Sequence, residues 1–259
     1  MDGVSFVVEL ERGETYLDSA KAPTPHGVRP FDLSAYLTGC CRHFACAARR
    51  IALYRGEVPW EGGMKIYGDS ISGNCLKVKW VCDHLALPYS WIDIDILKHE
   101  TRSAQFLKLN SAGQVPTVEF YDGRTLAQFN AIIRYLARGS DLIPRDAFAQ
   151  AKMDEWLFWE QYSHEPHIAV CRFQMAYLGR SASDLDPDKV KRGYAALARM
   201  EHQLAATRFL VGDAVSLADV SLLAYTRLAH EGGFHLDGYA SIRRWISEAE
   251  RSLGLPPAR

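Results

Sequence analysis

Two short runs hold the residue types that could do chemistry in this chain. The first is Gly113-Gln114-Val115-Pro116-Thr117-Val118-Glu119-Phe120. Proline has no N–H to give to a strand ladder, so it belongs at a strand entry or on an edge. Read alone, the run is a bulged strand entry. A cis Val115–Pro116 bond would instead turn the Val115 backbone outward and leave its N–H and C=O to a ligand. The second run is Ser72-Gly73-Asn74-Cys75, at the start of a helical pattern. The Ser72 hydroxyl and the Asn74 amide are both donors, and a helix N-terminus favours negative charge, so together they suit an anion. The plainer reading makes Ser72 an N-cap. Cys75 sits in the first helical turn, where thiol pKa values fall.

The elements that must position these residues alternate between strand and helix. Met64-Lys65-Ile66-Tyr67-Gly68 reads as a strand. Residues 74–86 carry Leu76, Trp80, Val81 and Leu85 at helical spacing, and Leu87-Pro88 stops them. Residues 90–94 alternate as a strand and 101–109 read as a helix. Two further strands flank Asp122-Gly123, a strong hairpin signal. A last helix holds Ile132, Ile133 and Leu136. The order is βαβαββα, with the first strand pair parallel through a crossover and the last pair antiparallel. Residues 139–147 contain Gly139, Ser140, Asp141 and Pro144 and read as a linker. Beyond it the chain is helical, with Pro166 placed to kink or break the first long run. Ser216-Leu217-Ala218-Asp219 reads as a capping box.

Composition narrows the function classes. The chain has 259 residues, a formal net charge of −1 and a hydrophobic fraction of 48%. That is ordinary globular composition, with room for two domains. Near-zero charge argues against nucleic acid as a partner, and no apolar run is long enough for a membrane span. The six cysteines are irregularly spaced and match no metal pattern, so they read as free thiols in a reducing cytoplasm with no bound metal. The first residues lack a basic region, which argues against a secretory signal. Residues 1–63 have weak periodicity and the run Cys40-Cys41-Arg42-His43-Phe44-Ala45-Cys46, and are expected to form a poorly ordered extension. A fresh domain starts at Met64, giving expected units of 64–138, the linker 139–147, and 148–259.

The ordered set of Ser72-Gly73-Asn74, Gln114-Val115-Pro116, Phe209-Leu210-Val211-Gly212 and Ser216-Leu217-Ala218-Asp219 resembles the cytosolic glutathione transferases. The resemblance covers residues 64–255. Glu160-Gln161-Tyr162-Ser163-His164-Glu165-Pro166 looks like a bacterial branch of that superfamily, and Ser72 matches its serine-type classes. The resemblance implies a thioredoxin-like domain followed by an all-helical domain, and a homodimer. It implies glutathione as co-substrate and a small hydrophobic electrophile as its partner. Ser72 would stabilise the thiolate, with Asn74 in support, because a donor to S⁻ raises the reactive fraction. The Val115 backbone would pair with the cysteinyl part of glutathione. Lys98, with Thr101, would meet the glycyl carboxylate.

Gln128 and Phe129 stand where relatives hold the γ-glutamyl group with an acid or amide followed by Ser or Thr. Here the hydroxyl is lost and an aromatic ring is added, although the Phe129 N–H can still meet a carboxylate. Asp69-Ser70 also departs from the Ser-Pro of many relatives. The electrophile is expected between the halves against Trp156, Phe158, Trp159 and Tyr162, with His164 nearby; at helical spacing most of this run is core. Two other activities share the pattern: a glutathione-dependent peroxidase or disulfide reductase, and a non-catalytic binding module that Gln128-Phe129 would favour.

Overall fold

The computed structural model describes residues 63–258. The expected extension, including its cysteine run, lies outside the described residues except for Gly63. Four strands form one sheet in the order β2-β1-β3-β4. They are β1 (Met64–Gly68), β2 (Ser90–Asp93), β3 (Thr117–Phe120) and β4 (Thr125–Ala127). β1 runs parallel to β2 and antiparallel to β3, and β3 pairs antiparallel with β4. The hairpin at Asp122-Gly123 and the β1–β2 crossover are both present as the sequence pattern predicts.

The helices of this half are α1 (Gly73–His84), α2 (Ala104–Leu109) and α3 (Phe129–Leu136). The expected helix over 101–109 is split. A 3-10 turn covers Glu100–Arg102, and Ser103 then caps α2 by accepting from the Phe106 N–H at 3.2 Å. Such a cap contributes about 1 kcal/mol. Ile66 and Val118 of the sheet, Val78 and Val81 of α1, and Ile132 and Ile133 of α3 are fully buried in one core.

The second half is all helical. After α4 (Ala147–Trp159) the helical run does not stop at Pro166. It continues as π-helical backbone through Glu160–Ala169, an α turn at Val170–Arg172 and a second π stretch at Phe173–Tyr177. Proline ordinarily breaks an α-helix because its ring meets the carbonyl four residues back and its N–H is missing. The wider π ring removes that conflict. α5 (Pro187–Ala206), α6 (Leu217–Thr226) and α7 (Ala240–Leu253) complete the half. The capping box at Ser216 and Asp219 is formed. The buried Asp219 carboxylate also accepts from the Leu210 N–H at 2.9 Å and from the Trp245 indole at 2.8 Å. One acid therefore ties the start of α6 to the preceding loop and to α7. In the segment read as a linker, Leu142 is buried, and its carbonyl accepts from the Leu217 N–H at 3.0 Å.

Candidate active site

The start of α1, the turn before β3 and the start of α3 converge on one open cavity of about 430 Å³. The Val115–Pro116 peptide at its wall is cis. The Val115 backbone N–H and C=O have no hydrogen-bond partner among the described residues, so both face a ligand-sized space. Asn110 holds this turn: its amide donates to the Gln114 carbonyl at 2.8 Å and to the Thr117 hydroxyl at 3.1 Å. Gly113 has φ +61°, and a Cβ there would lie 2.7 Å from the Arg102 guanidinium and 3.0 Å from the Thr101 carbonyl. Only glycine fits that turn.

Ser72 is the N-cap residue of α1, yet its side chain makes no cap bond. The Asp69 carboxylate instead fixes the backbone just before the helix, while the Asn74 N–H of the first turn goes to the Tyr225 hydroxyl. One Asp69 oxygen accepts from the Ile71 N–H at 2.9 Å, the Ser72 N–H at 3.2 Å and the Tyr177 hydroxyl at 3.1 Å. This explains the departure from Ser-Pro at 69–70: an acid holds the loop from below and binds it to the helical half. Arg172 adds a second tie, donating to the Ile71 carbonyl at 3.0 Å while it pairs with Glu231 at 2.7 Å. The Ser72 hydroxyl meets the Cys75 thiol, and Ser72 lines the cavity. Cys75 itself is fully buried, and burial pushes its thiol up to about 12, outweighing the hydrogen bonds from Ser72 and the Asp69 N–H. A thiol held protonated is no nucleophile at neutral pH.

Asn74 also lines the cavity and is held from three sides. Its N–H donates to the Tyr225 hydroxyl of α6 at 3.2 Å. Its side-chain Nδ2 donates to Glu165 at 3.2 Å, and its Oδ1 accepts from Lys77 at 3.0 Å. Gly73 makes the approach of Tyr225 possible, since a Cβ would lie 2.6 Å from the Tyr225 ring.

Lys77 and Glu160 are both fully buried and pair at 2.6 Å. Burial pushes the Lys77 ammonium down and the Glu160 carboxyl up, each opposed by the other's charge. Amide donors from Gln161 at 3.1 Å and Asn130 at 3.3 Å support the carboxylate, so we treat the two groups as an ion pair.

Phe129 does not obstruct the cavity. Its ring folds into the core, 5% exposed, with the Lys77 ammonium 3.8 Å from its centroid. Its backbone stands at the first position of α3, where the N–H remains free for an anion. Gln128 precedes it with φ +69°, a conformation that costs a non-glycine residue of order 1–3 kcal/mol and is concentrated at functional sites.

Comparison with known proteins decides the family. A model described as the glutathione S-transferase N-terminal domain matches residues 71–138, and the C-terminal domain model matches residues 168–252. The chain is 30% identical over 167 residues to glutathione S-transferase 3 of Zea mays, covering 61% of this chain and 74% of that protein. The chain belongs to the glutathione S-transferase family. Among solved structures, a glutathione S-transferase from Pseudomonas fluorescens Pf-5 is 43% identical, with a TM-score of 0.70, covering 72% of this chain and 94% of that one. One from Xanthobacter autotrophicus Py2 is 37% identical with a TM-score of 0.70, covering 76% and 95%.

Within this transferase fold, six of the residues singled out from sequence share the cavity: Ser72, Asn74, Thr101, Val115, Gln128 and Phe129. Lys98 does not. It is exposed, and its ammonium pairs with Asp95 at 2.9 Å. The expected electrophile wall is also absent from the cavity. Trp156 is core, Phe158 and Tyr162 point outward at 76% and 87% exposure, and Trp159 and Tyr162 flank a separate surface depression beside Arg199. His164 is fully buried against Thr226 at 2.9 Å, and burial pushes its imidazole down to about 3. Trp156, Phe158 and Trp159 lie in the regular α4, where they face core or solvent, and only Tyr162 and His164 fall on the π segment that follows. Sequence reading missed Glu165 and Gln161, which do line the cavity. It also missed Lys77, whose signal was a lysine one turn after Asn74 amid apolar positions. Among the described residues there is no cluster of three metal-ligating side chains, and no helix is long and apolar enough to cross a membrane.

Proposed function

We propose that the protein is a serine-type transferase that conjugates glutathione to small hydrophobic electrophiles, with Ser72 stabilising the thiolate. The observation that carries this is a hydroxyl at the start of α1, unused for capping, that shares a cavity with the unpaired Val115 backbone. A cysteinyl backbone bound at Val115 brings its sulfur toward the N-terminus of α1. There a hydroxyl donor and the helix dipole both favour S⁻. Deprotonation passes the thiol proton to solvent, and the thiolate lone pair then forms a C–S bond to the electrophile; on a halogenated arene the carbon–halogen bond breaks and halide leaves.

For the electrophile we propose Ile71, Phe173 and Tyr177 instead of the aromatic run. The Phe173 and Tyr177 rings lie 4.9 Å apart, Ile71 is 51% exposed, and the Tyr177 and Arg172 contacts hold this apolar ledge against the Ser72 loop. A bacterial origin and a homodimeric state are proposals that rest on the family resemblance, a cytoplasmic location rests on the irregularly spaced cysteines, and the domain limits 64–138, 139–147 and 148–259 rest on the linker-like composition between the halves.

A second reading, a non-catalytic binding module, has one observation in its favour. Among the described residues no lysine or arginine lines the cavity, and Glu165 does, which is unfavourable for a tripeptide with two carboxylates. Calorimetric titration with glutathione, followed by turnover with halogenated arenes, hydroperoxides and mixed disulfides, separates these readings. Binding with arene turnover supports transfer; turnover of peroxides or disulfides alone supports a reductase. Binding without turnover of any of them supports the module, and absence of binding overturns the glutathione site.

A further inference from the structure

Lys77 is fully buried one helical turn beyond Asn74, and its surroundings fix it tightly. Its ammonium donates to Asn74 Oδ1 at 3.0 Å and pairs with Glu160 at 2.6 Å, beneath the Phe129 ring. A cation on the amide oxygen permits only one orientation of the side chain. Oδ1 faces Lys77, so Nδ2 faces the opposite way, where it meets Glu165 at the cavity wall. Asn130 is drawn into the same arrangement, donating to Glu160 while its own Oδ1 accepts from Ser221 at 2.8 Å. The amide of Asn74 is thus set by charges contributed from both halves of the fold.

We propose that Lys77 is a positioning residue for the thiolate chemistry: paired with Glu160, it holds the Asn74 amide so that its Nδ2 hydrogens stay turned to the cavity as donors to a bound sulfur. This rests on the glutathione site proposed above. Stability alone does not explain the pair, because replacing a buried ion pair with apolar side chains is often neutral or stabilising. The arrangement divides the labour at the start of α1. Ser72 has its backbone fixed by Asp69, and Asn74 has its side chain fixed by Lys77. Besides Glu160, the groups that act on Lys77 are Glu165, Cys75 and the Tyr225 ring at 5.1 Å. Among the groups around Lys77, Asn74, Glu165 and Phe129 line the cavity, and of these Asn74 is the one that offers a side-chain N–H donor.

The test is a pH titration of the bound glutathione thiolate, followed by ultraviolet absorbance in the full-length protein, with glutathione Kd measured alongside. Lys77→Met leaves Glu160 uncompensated and can fail to fold, so Lys77→Met/Glu160→Met is made beside it. The expected result is a thiol pKa raised by about one unit, or roughly tenfold less thiolate at a given pH below it, with Kd within about threefold of wild type. In an Asn74→Ala background the same substitutions should add no further shift, since their route to the sulfur is gone. An unchanged thiol pKa in the folded double variant, or shifts that simply add to that of Asn74→Ala, overturns the proposal. Failure of the wild-type protein to bind glutathione overturns the site itself; binding without the shift overturns only the role of Lys77.

Discussion

The Lys77 ammonium lies 3.8 Å from the centroid of the Phe129 ring, within the core between α1 and α3. A residue that looks like a damaged binding position in sequence is therefore the roof over a buried cation. Phe129→Leu keeps most of the volume and removes the ring. Loss of the cation–π contact is expected to cost about 0.5–2 kcal/mol, read as a lower denaturation midpoint. A midpoint equal to that of wild type would mean that the ring is ordinary packing.

Ser72→Ala deletes the donor assigned to the thiolate and leaves the Asp69 bonds to the loop backbone intact. Loss of a hydrogen bond to a charged group is about 1.5–3 kcal/mol, so kcat should fall roughly ten- to a hundredfold. Glutathione Kd should hardly change, because Val115 and the start of α3 still bind the peptide. Steady-state kinetics with an unchanged kcat would remove Ser72 from the mechanism.

Burial pushes Cys75 and Cys82 both up to about 12. Neither should be alkylated by iodoacetamide in the native protein at neutral pH, and both should react once guanidinium unfolds it. Peptide mapping by mass spectrometry reads this directly. Rapid native labelling at Cys75 would reopen a cysteine mechanism.

His164 gives the fold an acid sensitivity whose sign is fixed by its surroundings. The Thr226 hydroxyl gives its proton to the Leu222 carbonyl at 2.7 Å, so His164 Nε2 donates to Thr226 and the buried Nδ1 is left without a partner. With a folded pKa of about 3 against 6.5 unfolded, only the unfolded chain binds the proton between those values. Stability from this group is complete above pH 6.5 and is lost as pH falls toward 3, at up to about 1.4 kcal/mol per unit. His164→Gln should flatten the decline in denaturant midpoint between pH 6.5 and 5 relative to wild type. Parallel curves for the two proteins would show that His164 is already charged in the fold.

Gly73→Ala tests the close approach of the halves. A methyl group 2.6 Å from the Tyr225 ring must displace it from the Asn74 N–H. Overpacking of this kind costs about 1–3 kcal/mol, and kcat should fall with it if the start of α1 moves. A variant as stable and active as wild type would show that Tyr225 has room to retreat.

Much of this architecture was legible from local pattern. Asp122-Gly123 marks its hairpin because a tight turn needs those residues, and Val115-Pro116 marks the β3 entry because proline cannot join a ladder. Ser72, Asn74 and Val115 converge as the family pattern implies. Lys98 was misplaced because an exposed loop lysine is free to choose a neighbour, here Asp95. The aromatic run was misplaced because residue type does not tell which face of a helix meets core and which meets solvent: within α4, Trp156 is buried and Phe158 exposed. Phe129 and Lys77 could not be paired from sequence, since their contact joins two helices with a strand, a helix and a hairpin between them.

The π segment of Glu160–Ala169 sets a spacing. In a π turn the residue five positions on returns close to the same face. Glu160 therefore meets Lys77 while Glu165 meets Asn74 at the cavity wall. One helix presents two carboxylates, five residues apart, to a single turn of α1, a pairing that an α turn of the same length would swing to different faces.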